Sequence, residues 1–325
     1  MVKQPNNLLF YFITIFIVSI LFLLAFDSPL KIYKEFISSI ATTTLPAKGI
    51  TILFVGDIML DRGVARHADK FGKDSLLIKV EEILKNNDAV IGNLEGTITD
   101  NASIAQVNNK ILRFTFSPTF LNFLNKYHFT AVSLANNHAL DFGNDGYDKT
   151  VENLDSVGIV SFGSPLNSTR VSNKIILKKK TICLVGYHDL YVNNEEKAVE
   201  EINKIKGECD YTVLFAHWGD EYIKTPNARQ ISLAHMFVDA GADLVIGAHP
   251  HVVQTHEIYK NKAIFYSLGN FIFDQDFSYN TTHGLMVRVE ITEDKTKFNL
   301  IPTFVDRAEV SVDETQVEEI FELVH

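Results

Sequence analysis

Two histidines stand one residue apart around a proline in GADLVIGAHPHVVQ, residues 241–254, directly after a short apolar run. A strand that ends this way aims two imidazoles, His249 and His251, at one small volume. Pro250 between them, with φ fixed and no N–H, stiffens the loop. Other apolar runs stop on chemistry too: FVGD at Asp57, VIGNLEG at Asn93 and Glu95, VSLANNHALDFG at Asn136, Asn137 and His138, and LFAHWGDEY at His217. Carboxylates, amides and imidazoles make a mixed N/O shell suited to a divalent transition metal, Zn, Mn or Fe, with no thiolate to favour softer ions. A two-metal hydrolytic centre needs a bridging carboxylate, imidazoles on each metal and a metal-activated water, and this residue set can supply each part. Taken singly, each has a plainer reading. His217 could be a hydrogen-bonded structural histidine, Asn136 and Asn137 turn residues, and Asp57 a helix cap.

The elements that must position these residues are legible as alternating runs. ITILFVGD, DAVIGN, FTAVSLANNH, IVSFG, TICLVGY, YTVLFAHWGD, ADLVIGAHPH and KAIFYSLGNFIF read as strands. Between them DSLLIKVEEILKNN, SPTFLNFLNKY, GYDKTVENLDSVG, NEEKAVEEINKIKG and ARQISLAHMFVDAG have helical period. Continuous apolarity implies strands buried on both faces, so an α/β sandwich with helices outside and mixed sheets inside is expected. HGLMVRVEITEDKTKFNLIPTFV alternates, which predicts antiparallel strands around EDKT. Ligands in α/β sheets bind beyond the carboxyl ends of strands, where the candidate residues fall.

The 325 residues are 46% hydrophobic and carry a formal charge of −10, enough for a large core and without the basic stripe of a nucleic-acid binder. LLFYFITIFIVSILFLLAF, Leu8 to Phe26, is uncharged and long enough to span a bilayer, with no small-x-small cleavage site after it. It reads as a single-pass anchor (residues 1–27), followed by a Ser/Thr-rich tether (28–48), a folded domain (49–310) expected outside the cytoplasm, and a helical tail (311–325). Cys183, in an apolar strand, reads as an inert core thiol, with one disulfide to Cys209 as the alternative. Signatures of P-loop and α/β-hydrolase chemistry are missing.

In this order, GDIMLDRG, GNLEG, SLANNHALDFG, HWGDEY, GADLVIGAHPHVVQ and YSLGNFIFD make the chain resemble the CapA-type poly-gamma-glutamate capsule biosynthesis family, which looks like a branch of the calcineurin-like metallophosphoesterases. The resemblance runs from Ile50 to Asp276. It implies a four-layer α/β/β/α sandwich and a dinuclear metal site, with Asp57 and His251 at one metal, Asn137, His217 and His249 at the other, and Glu95 as the shared acid. His138 matches the histidine that gives a proton to the leaving group, and Asn93 and Asp141 match positions that support ligands or substrate. Two departures stand out: Met59 occupies the histidine place of an Asp-x-His motif, and Asn93 stands where a bridging aspartate is usual. Glu221 could contact substrate or face solvent, and Arg62 and Arg66 could meet an anionic substrate or be solvated helix charges. The expected activity is metal-dependent hydrolysis of a phosphoester or amide during synthesis of capsule or another envelope polymer. The expected partners are the membrane, an anionic polymer or small phosphoester, and capsule synthase membrane proteins. The alternative is a noncatalytic, membrane-tethered scaffold or polymer-binding accessory of a synthase.

Overall fold

The computed structural model describes residues 49–105, 111–191 and 193–325. The expected anchor and tether lie outside the described residues. Among the described ones, no helix is long and apolar enough to cross a membrane. The first half alternates β1 (Ile50–Ile58), α1 (Arg62–Phe71), α2 (Glu81–Lys85), β2 (Ala89–Leu94), a short pair β3 (Thr97–Ile98) and β4 (Thr115–Phe116), α3 (Phe120–Lys126), β5 (Phe129–Ser133), α4 (Gly143–Ser156) and β6 (Val160–Phe162). The second half runs β7 (Ser172–Leu177), β8 (Lys180–His188), α5 (Glu195–Ile205), β9 (Tyr211–His217), α6 (Ala228–Ala240), β10 (Leu244–Ala248), β11 (His256–Tyr259), β12 (Lys262–Phe265) and β13 (Asn270–Ile272). It closes with α7 (Tyr279–Thr282), β14 (His283–Ile291), β15 (Lys295–Asp306), β16 (Glu309–Val312) and β17 (Glu319–Val324).

β1, β2, β5 and β6 are parallel neighbours. The antiparallel β14, β15 and β16, with β17 on β15 and β13 on β1, complete a nine-stranded sheet. A six-stranded sheet follows the order β11-β12-β10-β9-β8-β7. Because side chains alternate across a strand, each central strand feeds two cores. Ile52 and Phe54 of β1 join Ile182, Leu184, Val213 and Phe215 between the sheets. Leu53 and Val55 instead face α1 and α4 through Val64, Ala68, Val151 and Leu154. On the other sheet Val185, Leu214 and Val245 pack on Ala198, Ile202, Leu233 and Phe237 of α5 and α6. The layers are therefore helix, sheet, sheet, helix, and continuous apolarity in the sequence reflects burial on both strand faces.

Three expectations need correction. KAIFYSLGNFIF is two strands, not one: β12 lies in the six-stranded sheet and β13 in the other. Gly269, at φ 69°, turns the chain between them. The tail at 311–325 is β-structure rather than helix, since EIFELV has period two and turns Phe321 and Leu323 onto the core between the sheets. Cys183 is a core residue, as expected, but it is bonded to Cys209 rather than free.

Candidate metal centre

Strand register assembles the site. Asp57 at the end of β1 pairs with Asn93 of β2, and Asn93 with Ser133 of β5, from which the Asn136, Asn137 and His138 turn departs. In the other sheet His217 of β9 pairs with Ala248 of β10, so His249 follows at the same edge. Parallel strands end together, and the two sheets present their carboxyl ends to one volume. Cross-sheet bonds tie them: the His249 N–H donates to Asp57 Oδ2 at 3.2 Å, and Asn93 Nδ2 lies 3.3 Å from His217 Nδ1.

Asp57, Glu95 and His251 each offer a ligand atom within 4.8 Å of the others, and so do Glu221, His249 and His251. Asp57, Glu95, His217, His249 and His251 are buried. His251 Nδ1 lies 3.0 Å from Asn270 Oδ1 and 3.3 Å from Asp57 Oδ2, while its Nε2 lies 3.7 Å from Glu95 Oε1. Asn270 Nδ2 donates to Gln275 Oε1 and the Thr281 carbonyl. That leaves its Oδ1 to accept from His251 Nδ1–H, which turns Nε2 toward the carboxylates. His217 Nε2 meets Asn137 Oδ1 at 2.8 Å, and the His217 and His249 rings are 4.7 Å apart.

The electrostatics sort these groups. Burial, reinforced by the neighbouring imidazoles, holds His217 well below the ordinary histidine range and His249 down at about 3. Burial works in the same direction on His251, but Glu95 and Asp57 overcome it and raise that imidazole to about 9. Glu95 is pushed up by burial and by the nearby Asp57 and Glu221, against the pull of His251. A cation at this point would relieve the crowding of carboxylates and find neutral His217 and His249 ready to ligate. The donor set fits a divalent metal, and so does His249 Nδ1, a buried atom with no hydrogen-bond partner among the described residues.

His138 stands beside the cluster, Nε2 3.8 Å from Glu95 Oε1 and Nδ1 2.8 Å from Asp141 Oδ2. Asp141 Oδ2 also accepts the Phe114 N–H at 2.6 Å, and the Phe114 ring lies 4.3 Å from the imidazole. Asn93 donates through Nδ2 to Asp57 Oδ1 at 2.8 Å, so it steadies a candidate ligand. Asn136, buried, holds Asn93 Oδ1 and the Leu94 carbonyl. Asp57 caps nothing, since Asp61 caps α1. Arg62 fits neither expectation: it is buried, ion-paired with Asp274 and set over the Phe114 and Phe273 rings, while Arg66 faces solvent. Glu221 is exposed, with its carboxylate near His249 and His251.

The sequence reading missed two residues. Asn270 sits in the quoted YSLGNFIFD, but only the β13 crossover puts it beside Asp57. His188 ends β8 in register with His217, is fully buried, and has an Nε2 with no partner among the described residues. Its signal was the strand-end histidine of TICLVGYHD.

Residues 51–275 match the family model described as bacterial capsule synthesis protein PGA_cap, a span that holds every candidate ligand from Asp57 to His251. The chain belongs to the PGA_cap family. Similarity to named capsule proteins agrees with that membership. The chain is 34% identical to the PGA biosynthesis protein CapA of Bacillus subtilis (strain 168), over 78% of this chain and 71% of that protein. It is 31% identical to the capsule biosynthesis protein CapA of Bacillus anthracis, over 76% of this chain and 65% of that one. Among solved structures, a hypothetical protein from Thermus thermophilus aligns at a TM-score of 0.48 and 14% identity, over 85% of this chain and 99% of that one. As a PGA_cap domain, the chain places its family motifs at one sheet edge, and the Met59 departure has a visible consequence. The thioether is fully buried in the helix-side core and accepts the Asp61 N–H, so position 59 supplies no ligand.

Proposed function

We propose that this chain is a membrane-anchored, metal-dependent hydrolase of capsule, poly-gamma-glutamate or cell-envelope polymer biosynthesis, acting outside the cytoplasm. The observation that carries the reading is the hydrogen-bonded His138–Asp141 pair beside the buried Asp57, Glu95 and His251 cluster. One or two divalent ions, Mn, Zn or Fe, would be held by Asp57, Glu95, Asn137, His217, His249 and His251, and would supply charge to polarise a phosphoryl or carbonyl group and make water nucleophilic at neutral pH. Asp141 accepts His138 Nδ1–H, which orients Nε2 toward the cluster. From Nε2 a proton can pass to the departing oxygen or nitrogen. Asn93 and Asn270 hold Asp57 and His251 in place through hydrogen bonds. The disulfide fits an oxidising compartment, and the apolar run at Leu8–Phe26 supplies the anchor.

The test is His138→Gln in the full chain, assayed on aryl phosphoesters and on poly-gamma-glutamate. Turnover should fall by about 10²–10⁴ with bound metal unchanged. Polymer production that continues undiminished in cells carrying the variant would replace the hydrolase with a tethered scaffold for an anionic polymer or a synthase.

A further inference from the structure

The buried cluster does not account for Glu221. This residue follows β9 in HWGDEY, and its carboxylate lies within 4.8 Å of ligand atoms of both His249 and His251. The residues on either side of it are held by several bonds. The Tyr222 N–H donates to the Pro250 carbonyl at 2.8 Å, joining this turn to the His249–Pro250–His251 loop. Gln275 donates to the Tyr222 hydroxyl at 3.2 Å, and Asn227, the cap of α6, donates to Asp220 at 2.8 Å. Trp218, fully buried, donates its indole N–H to the Tyr266 carbonyl. The turn keeps Tyr222 at φ 65°, and the facing loop keeps His249 at φ 96° and His251 at φ 57°. Left-handed backbone of this kind is costly for such residues and persists where surrounding bonds impose it.

An exposed carboxylate near two histidines is not a site by itself. The independent observation is His249 Nδ1, on a residue with 6% of its surface exposed, buried and without a hydrogen-bond partner among the described residues. A buried imidazole nitrogen left unpaired carries a desolvation cost that a ligand would remove. A ligand atom of His249 lies within 4.8 Å of ligand atoms of Glu221 and His251, and His251 Nε2 already faces Glu95.

Resting on the metal-centre reading above, we infer that Glu221 is a metal ligand, closing the centre from the solvent side together with His249. The buried residues Asp57, Glu95 and His251 form the deep position. Glu221 and His249 form the outer position, whose one exposed ligand gives the metal a route in and leaves coordination open toward solvent.

The experiment uses the full chain in detergent, stripped with chelator and titrated with Mn²⁺ alone, with bound metal read by elemental analysis and by the Mn²⁺ electron paramagnetic resonance signal. Wild type should bind two equivalents. Glu221→Ala should bind one, or bind the second at least about tenfold more weakly, since even hydrogen-bond partners of metal ligands cost 10–100-fold. Glu196→Gln, an exposed acid of α5 away from this turn, should match wild type. Glu221 is exposed, so circular dichroism of the variant should equal that of wild type. Wild-type stoichiometry and affinity in Glu221→Ala would overturn the inference and leave the metal centre standing. Failure of wild type to bind Mn²⁺ at all would overturn both.

Discussion

His217, His249 and His251 are three buried imidazoles in one volume, yet their environments push them apart. His217 and His249 stay neutral in the folded protein because burial and neighbouring imidazoles disfavour their charged forms. In the unfolded chain they titrate near 6.5. The unfolded state therefore binds more protons below that pH, and this contribution is full above about 6.5 and falls away as pH drops toward 3. His251 runs the other way: despite burial, Glu95 and Asp57 hold it up to about 9, so its contribution is full below about 6.5 and lost as pH rises through 9. Glu95, pushed up by burial, likewise adds stability that is lost as pH rises above the ordinary carboxyl range, so the chelator-treated protein should have a lower urea midpoint at pH 9 than at pH 6.5. A flat profile would show that these imidazoles do not occupy the environments described. A second expectation concerns Asp141, which orients His138 at 2.8 Å without touching the cluster. Asp141→Asn should lower turnover about tenfold to a hundredfold with metal binding unchanged, less than His138→Gln because the proton donor itself remains. Residue types at strand ends announced most of this chemistry in the sequence. They did not announce that Arg62 is committed to Asp274, because the partner lies far along the chain.

At the scale of elements, strand ends carry the donors and strand register lines them up. Helical and strand periods predicted β1, β2, β5, β8, β9 and β10, with α4, α5 and α6 between them, because local period reports which face is buried. Failures came where packing changes partway along one apolar run. β12 and β13 share continuous apolarity, and only the close passage of β13 along β1 separates them into different sheets. That passage leaves no room at Gly56, where a Cβ would overlap the Gly269 carbonyl oxygen. Gly56→Ala should cost about 1–3 kcal/mol, read as a lowered urea midpoint, and should loosen the Asp57–Asn270 pairing enough to weaken Mn²⁺ binding. Wild-type stability in that variant would contradict the close packing of β1 on β13. The β17 tail teaches the same lesson, since its short alternation became meaningful only once β15 offered an edge with which it could pair.

Across the whole molecule, two sheets share one core, and the site forms where their carboxyl ends meet. The Cys183–Cys209 bridge fastens the six-stranded sheet to the segment after α5, across a separation of 26 residues. Reduction, or Cys209→Ala, should lower stability by about 2–4 kcal/mol in urea unfolding. Free thiols titrating in the native, air-oxidised protein would refute the bridge. The sequence by itself determined the donor chemistry, the strand ends that carry it, the layered α/β class and the family resemblance, because residue type and period are local properties. Tertiary structure alone decided that Asn270 and His188 join the site edge, that Arg62 leaves it, that the cysteines pair, and that Glu221 faces His249 across two loops. Each of those depends on segments far apart in sequence meeting in space, and pairing of that kind is set by packing and register rather than by any pattern within one segment.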